Sequence, residues 1–84
     1  MREQAREILV RMSLADTIYE QSDALIGIDD ARADMLYEQY FDAEEETARQ
    51  IVCMMAGAFT EKTARQMLTF NRGKLKDILN RYAG

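Results

Sequence analysis

The side chains of this sequence that could do chemistry are almost all carboxylates. The 84 residues hold 15 aspartates and glutamates against 11 lysines and arginines, and no histidine. The commonest general base and metal ligand is therefore absent. No glycine-rich loop is present to cradle a phosphate, and no nucleophile has a base partner in view. These absences argue against an enzyme, and we expect a chain without catalytic residues.

Clustered carboxylates are the only candidates for a metal site. Asp29, Asp30, Asp34 and residues 44–46 supply oxygen ligands that a hard cation prefers. Their spacing lacks the alternating ligands and central glycine of an ion-binding loop. Acids grouped on a helix usually form a solvated face. We therefore expect no metal ion, no cofactor and no small-molecule substrate.

The single cysteine, Cys53, lies in the apolar run Ile51–Met55. One cysteine cannot form an internal disulfide, and its apolar neighbours predict a buried structural thiol in a reducing compartment. The longest apolar run, residues 51–59, is too short to span a bilayer. Residues 1–16 alternate charge with apolar side chains and lack the apolar core of a signal peptide. We expect a soluble, cytoplasmic protein with no membrane partner.

Four acids form what we call the acidic ridge: Asp30, Asp34, Glu38 and Asp42. Residues four apart stack on one line of a helix, where like charges destabilise it by about 0.2–0.5 kcal/mol per pair. One interpretation is a solvent face that keeps the protein soluble. The other is a docking surface for a basic partner, whose charge complementarity would give fast, salt-sensitive association.

The positive charge is concentrated at the other end of the chain. Residues 1–59 carry five arginines against thirteen acids, whereas residues 60–84 carry six lysines and arginines against two acids. The chain is thus an acidic body with a basic tail. The candidate nucleic-acid contacts in this tail are Arg72, Lys74, Lys76 and Arg81.

Residues 60–82 resemble the helix-turn-helix motif of bacterial regulators at Phe70, Asn71, Arg72, Gly73, Leu75 and Ile78. The resemblance implies a second helix in the DNA major groove, with Arg72 and Lys74 at its N-terminus. The first half departs from the motif, because Arg65 stands at the usual small residue and Thr69 at the usual glycine. Cations at a helix N-terminus oppose its dipole, which predicts an anion nearby. Asp77 and the acidic body would repel phosphate.

Composition and periodicity predict the elements that carry these residues. The chain has no proline and four glycines, so little interrupts a helix. A first helix follows from spacings of three and four among Ile8, Met12, Ala15, Tyr19, Ser22 and Ile26, which predict a seam that is buried along another helix. A second follows from the stripe Ala33, Leu36, Tyr40, Ala43, Thr47, Ile51 and Met54, whose phase runs unbroken through Asp42. We therefore prefer one continuous second helix over a break at that residue.

Capping and turn residues set the predicted helix ends. Glycine at the end of a helix and Asp or Thr at its start are the common boundary residues. Ile28 is placed to pack back onto the first turn of the second helix. The predicted boundaries are, in chain order, Gly27, Asp29 or Asp30, Gly57, Thr60 and the turn Asn71-Arg72-Gly73.

These elements predict an all-α fold in a single domain, residues 1–84. An antiparallel helical hairpin (about 4–26 and 29–56) is closed by two short C-terminal helices (about 60–69 and 73–82) to make a small helical bundle. At about 1.5 Å per residue the short helices span less than half of the hairpin. They should leave apolar side chains exposed near Val10, Leu14, Tyr37 or Phe41. Such exposure is typical of a surface that binds a partner or a second copy.

We therefore expect a small, non-enzymatic intracellular protein that acts through protein–protein interaction. It would be a regulatory or inhibitory module, homodimeric, with the acidic ridge as its docking face. A short, acidic, helix-rich chain without catalytic residues resembles many small proteins encoded by phages and mobile elements, including inhibitors of host defence systems. The alternative is a helix-turn-helix-type DNA-binding regulator using residues 60–82. A third arrangement places the basic tail of one subunit on the acidic ridge of another.

Overall fold

The computed structural model describes residues 1–84 and consists of four α-helices. They are α1 (Arg2–Leu25), α2 (Asp30–Met54), α3 (Glu61–Phe70) and α4 (Arg72–Ala83). The long helices form a hairpin, with α3 packed on α2 and α4 packed on α1. The predicted all-α small helical bundle is confirmed. No helix has both the length and the apolar composition that crossing a bilayer requires.

The hairpin turn is formed by Gly27 and two aspartates. Gly27 has a φ of +80°, a conformation that side chains with a Cβ rarely adopt. Its amide donates to Asp30 Oδ1 at 2.7 Å, and Asp29 caps α2 by accepting from the Arg32 amide at 3.2 Å. The predicted boundaries here are confirmed. The predicted packing of Ile28 is wrong, because the turn directs this side chain into solvent at an end where no third element lies.

The remaining boundaries follow the sequence with one difference. α2 runs unbroken past Asp42, and Thr60 caps α3 by accepting from the Thr63 amide at 3.2 Å. The turn between α3 and α4 is shorter than predicted, since Asn71 alone is non-helical and Gly73 lies inside α4. The contacts of Arg72 with both long helices hold this first turn of α4 against the hairpin.

The core lies where all four helices meet. Its buried residues are Ala5, Ile8, Met12, Ala48, Ile51, Met54, Ala64, Leu68, Leu75, Leu79 and Ala83. We call this end the covered half. Residues 17–43, which form the rest of the hairpin and its turn, are the open half. The short helices reach only its border at Tyr40 and Phe41, so its two helices pack mainly on each other.

Small side chains determine how the open half packs. Ser22 and Ala33 are its buried residues, and Ser22 Oγ donates to the backbone oxygen of Ala33 at 2.7 Å. This close approach leaves no room for a large side chain between the helices. The predicted burial of Tyr19 and Ile26 in the seam is therefore wrong, and both are exposed.

Cys53 is also exposed, so the predicted buried thiol is wrong. Its neighbours Ile51 and Met54 lie on the face of α2 that packs into the core. At about 100° per residue, Cys53 falls on the opposite side of the helix. An apolar run on a helix does not predict burial of each of its residues, because consecutive residues lie on different faces of the helix.

Candidate interaction surface

Arg72 joins the basic tail to both long helices. Its Nη1 lies 2.9 Å from Glu44 Oε2, and its Nε lies 2.9 Å from Asp16 Oδ1. Its Nη2 donates to the backbone oxygen of Met12 at 3.0 Å. The Arg72 side chain is 19% exposed and that of Glu44 is 13% exposed. One guanidinium therefore connects α4 to α1 and α2 in a largely water-excluded position.

The charges around Arg72 shift two pKa values. Burial would lower the pKa of Arg72, but the hydrogen bond and charge of Glu44, together with Asp16, raise it above its ordinary value. Burial raises the pKa of the neighbouring Tyr40 phenol, and Glu44 raises it further, while Arg72 acts in the opposite direction. At neutral pH this site therefore holds a charged guanidinium and a neutral phenol.

Two further cations of the short helices pair with the hairpin. Lys76 Nζ lies 3.1 Å from Asp16 Oδ2, and Arg65 lies 3.4 Å from Glu45 Oε1. Lys74 and Arg81 are exposed and form no ion pair. Two of the four candidate nucleic-acid contacts are thus paired with carboxylates of the chain itself. The anion predicted near the N-terminus of α4 is supplied by α1 and α2.

The open half has the opposite charge balance. It contains seven carboxylates and one cation, Arg32, and none of these groups forms an ion pair. All four residues of the acidic ridge are exposed there. Every ion pair of the chain lies outside residues 17–43. The seven carboxylates are Glu20, Asp23, Asp29, Asp30, Asp34, Glu38 and Asp42.

Four aromatic side chains lie beside these acids. We call Tyr19, Tyr37, Tyr40 and Phe41 the aromatic cluster; ring centroids are 4.8 Å apart for Tyr37 and Phe41 and 5.1 Å apart for Tyr19 and Tyr40. Tyr40 is half-buried, whereas Tyr37 and Phe41 are 43% and 52% exposed. The predicted exposure of these two residues is confirmed. The cluster covers the outside of the hairpin just beyond the last turn of α3.

The aromatic cluster continues the surface on which α3 is packed. Along α2, Asp34, Tyr37, Phe41 and Glu45 follow one another at spacings of three and four, which places them on one stripe. The ion pair between Glu45 and Arg65 shows that α3 lies over one end of this stripe. A groove of about 230 Å³ marks the step where α3 stops, and Tyr40, Phe41, Glu44 and Leu68 are among its lining residues.

The same continuation is present on α1. Asp16, Glu20 and Asp23 follow one another at spacings of four and three, so they form one edge of the helix. Arg72 and Lys76 bind this edge at Asp16. Glu20 and Asp23 extend it into the open half, where no helix of the chain covers it. Acidic side chains of both long helices therefore lie near the aromatic cluster.

No group of three or more cysteine or acidic side chains is close enough to hold a metal ion.

The sequence showed both charged regions but not their connection through Asp16 and Glu44. An arginine in the first turn of a helix, where the dipole disfavours it, was the clue to this contact.

No family model matches the chain, and no match was found among curated proteins or solved structures.

Proposed function

We propose that this protein is a non-enzymatic interaction module whose docking face is the open half of the hairpin. The observation that carries the proposal is the presence of seven unpaired carboxylates beside an exposed aromatic cluster. The acidic ridge costs the helix about 0.2–0.5 kcal/mol for each like-charged pair, and no cation of the chain offsets this. Exposed aromatic side chains rimmed by polar groups are typical of protein-binding surfaces.

The charge of this face selects the class of partner. A surface with six more negative than positive groups in residues 17–43 attracts a basic protein surface and repels nucleic acid. Binding there would cover basic residues of the partner, which suits a regulatory or inhibitory module. The resemblance in character to small phage and mobile-element proteins favours the same role.

Affinity capture from the cell that encodes the chain tests this proposal. The immobilised protein is compared with Asp34→Lys/Glu38→Lys, which reverses two charges of the acidic ridge. The control is Glu3→Lys/Asp77→Lys, which makes the same net charge change at exposed, unpaired acids of the covered half. We expect the ridge variant alone to lose the partner, with its thermal stability at least equal to that of the wild type. Capture that is equal for both variants would contradict the proposal.

Self-association is a second candidate, favoured by a different surface. Val10 and Leu14 are 58% and 59% exposed and lie one turn apart on the outer side of α1. With Ser13 and Thr17 they line a shallow groove. A dimer formed there would dissociate in the variant Leu14→Glu and would be little affected by salt. A strict monomer in light scattering at micromolar concentration would remove this candidate.

A further inference from the structure

We infer that the partner presents a basic amphipathic helix, which lies on the aromatic cluster as an extension of the layer that α3 and α4 form. This inference rests on the proposed function and adds the secondary structure, charge and position of what binds. It follows from the way the chain packs its own short helices on the same hairpin.

The covered half shows how this hairpin binds a helix. Apolar residues of the short helices, such as Leu68 and Leu75, are buried at the centre. Cations of the same helices pair with carboxylates at the two edges, as Arg65 does with Glu45 and Lys76 with Asp16. The hairpin thus supplies an apolar centre and acidic edges, and the bound helices supply apolar and basic side chains.

The open half has the same two features that the hairpin supplies in the covered half, an apolar centre and acidic edges. The aromatic cluster is its apolar centre, Glu20 and Asp23 extend the α1 edge, and Asp34 and Glu38 lie along α2. All four of these acids lack a cation. A helix with apolar residues three and four apart and Lys or Arg on both flanks would complete the pattern.

The dimensions fit one short helix. At about 1.5 Å per residue, residues 30–43 of α2 extend for about 20 Å and residues 17–25 of α1 for about 13 Å. A bound helix of three or four turns would cover this length. The helices that the chain packs in the covered half are of that size, with 10 residues in α3 and 12 in α4.

A second copy of the chain fits this face poorly. A two-fold symmetric contact brings the same patch of each subunit together, so the unpaired acids of one would meet those of the other. Like charges placed opposite each other at an interface cost several kcal/mol. The basic tail of a second copy is a weak substitute, since its Arg72 and Lys76 are already paired with Asp16 and Glu44.

A titration with designed helices tests the inference on the full chain. The probe is a fluorescent helix of about 14 residues with leucines three and four apart and lysines on both flanks. A side-chain staple keeps it helical, because isolated helices of this length are marginal in water. Two matched probes replace either the lysines with glutamates or the leucines with serines. We expect the first probe to bind at least about tenfold more tightly than either of the others.

Variants of the chain locate the bound helix. Tyr37→Ser/Phe41→Ser should weaken binding of the lysine–leucine probe at least about tenfold, while Val10→Ser on the outer side of α1 should leave it unchanged. All three residues are exposed, so the fold should persist, and circular dichroism checks this. If the serine probe bound as tightly as the lysine–leucine probe, the acidic surface would be attracting any cationic helix. That result would overturn the inference. Binding retained by Tyr37→Ser/Phe41→Ser, or a wild-type dimer that this variant dissociates, would also overturn it.

The two proposals fail in different ways. Ridge-dependent capture of a cellular partner, combined with no binding of the lysine–leucine probe, would leave the proposed function standing and reject the helix. Capture that does not depend on Asp34 and Glu38 would reject the proposed function itself, whatever the probe does.

Discussion

Arg72 Nη1 lies 2.9 Å from Glu44 Oε2, a contact that spans 28 residues of sequence and joins the start of α4 to the middle of α2. The same guanidinium contacts Asp16 on α1. These contacts hold the end of α3 and the start of α4 at one position along the hairpin. They therefore separate the covered half, which holds every ion pair of the chain, from the open half, which holds none.

Removing Arg72 should destabilise the fold strongly. In Arg72→Met, Glu44 keeps its charge in a largely buried position without a partner, and the link to Met12 is lost. We expect the free energy of unfolding to fall by about 2–4 kcal/mol, because unpaired buried charges are costly. Urea denaturation followed by circular dichroism measures this change.

Lys74→Met is the matched control for Arg72→Met. Lys74 is in the same turn of α4, but it is exposed and has no ion-pair partner. We expect a change within about 0.5 kcal/mol. Equal losses of unfolding free energy in the two variants would show that only the total charge of the basic tail affects stability. That result would contradict the specific role of Arg72.

Two glycine substitutions should have opposite effects. Gly73→Ala replaces a helical glycine whose added Cβ meets no atom within 4 Å, and should stabilise the protein by about 0.5–1 kcal/mol. Gly27→Ala places a Cβ at a φ of +80° and should destabilise it by about 1–2 kcal/mol. Thermal denaturation of both variants provides the test. A stabilising Gly27→Ala would contradict the described turn.

Tyr40 should make the protein sensitive to alkali. The pKa of its phenol is raised in the fold, so the folded state retains the proton more tightly than the unfolded chain does. This contribution is complete below the unfolded value of about 10 and is lost as pH rises from there through the folded value. The stability of Tyr40→Phe should therefore fall less than that of the wild type above pH about 10. An equal loss of stability in both proteins above pH about 10 would contradict this prediction.

The pairing of Arg72 and Lys76 also bears on the DNA-binding alternative. With two of the four cations neutralised by Asp16 and Glu44, we expect no gel shift of duplex DNA even at low salt, where phosphate contacts are strongest. A shift that weakens with salt and disappears in Lys74→Glu/Arg81→Glu would contradict this expectation. Those substitutions leave the contacts of Arg72 intact.

Local rules predicted the helices well, because glycine, aspartate and threonine act on the backbone of their own turn. Gly27, Asp29 and Thr60 are examples in which the expected residue performs the expected role. The short helices were also expected to leave Tyr37 and Phe41 exposed, which needed only helix lengths. Predictions of this kind depend on few residues close in sequence.

The errors and omissions concern contacts between distant segments. Tyr19 has the right spacing for the seam, but the close approach at Ser22 and Ala33 excludes it. The anion beside Arg72 was predicted from the helix dipole, yet its source is Asp16 and Glu44, which are 56 and 28 residues away. Periodicity along one helix does not reveal which residue of another helix it meets.

Hydrogen exchange of the whole chain, alone and with the partner retained by affinity capture, tests the central claim most directly. We predict slower amide exchange in residues 17–43 when the partner binds, and unchanged exchange in residues 44–54 and 61–83. Slower exchange confined to residues 60–84 or to the outer side of α1, with residues 17–43 unchanged, would contradict the assignment of the open half as the docking face.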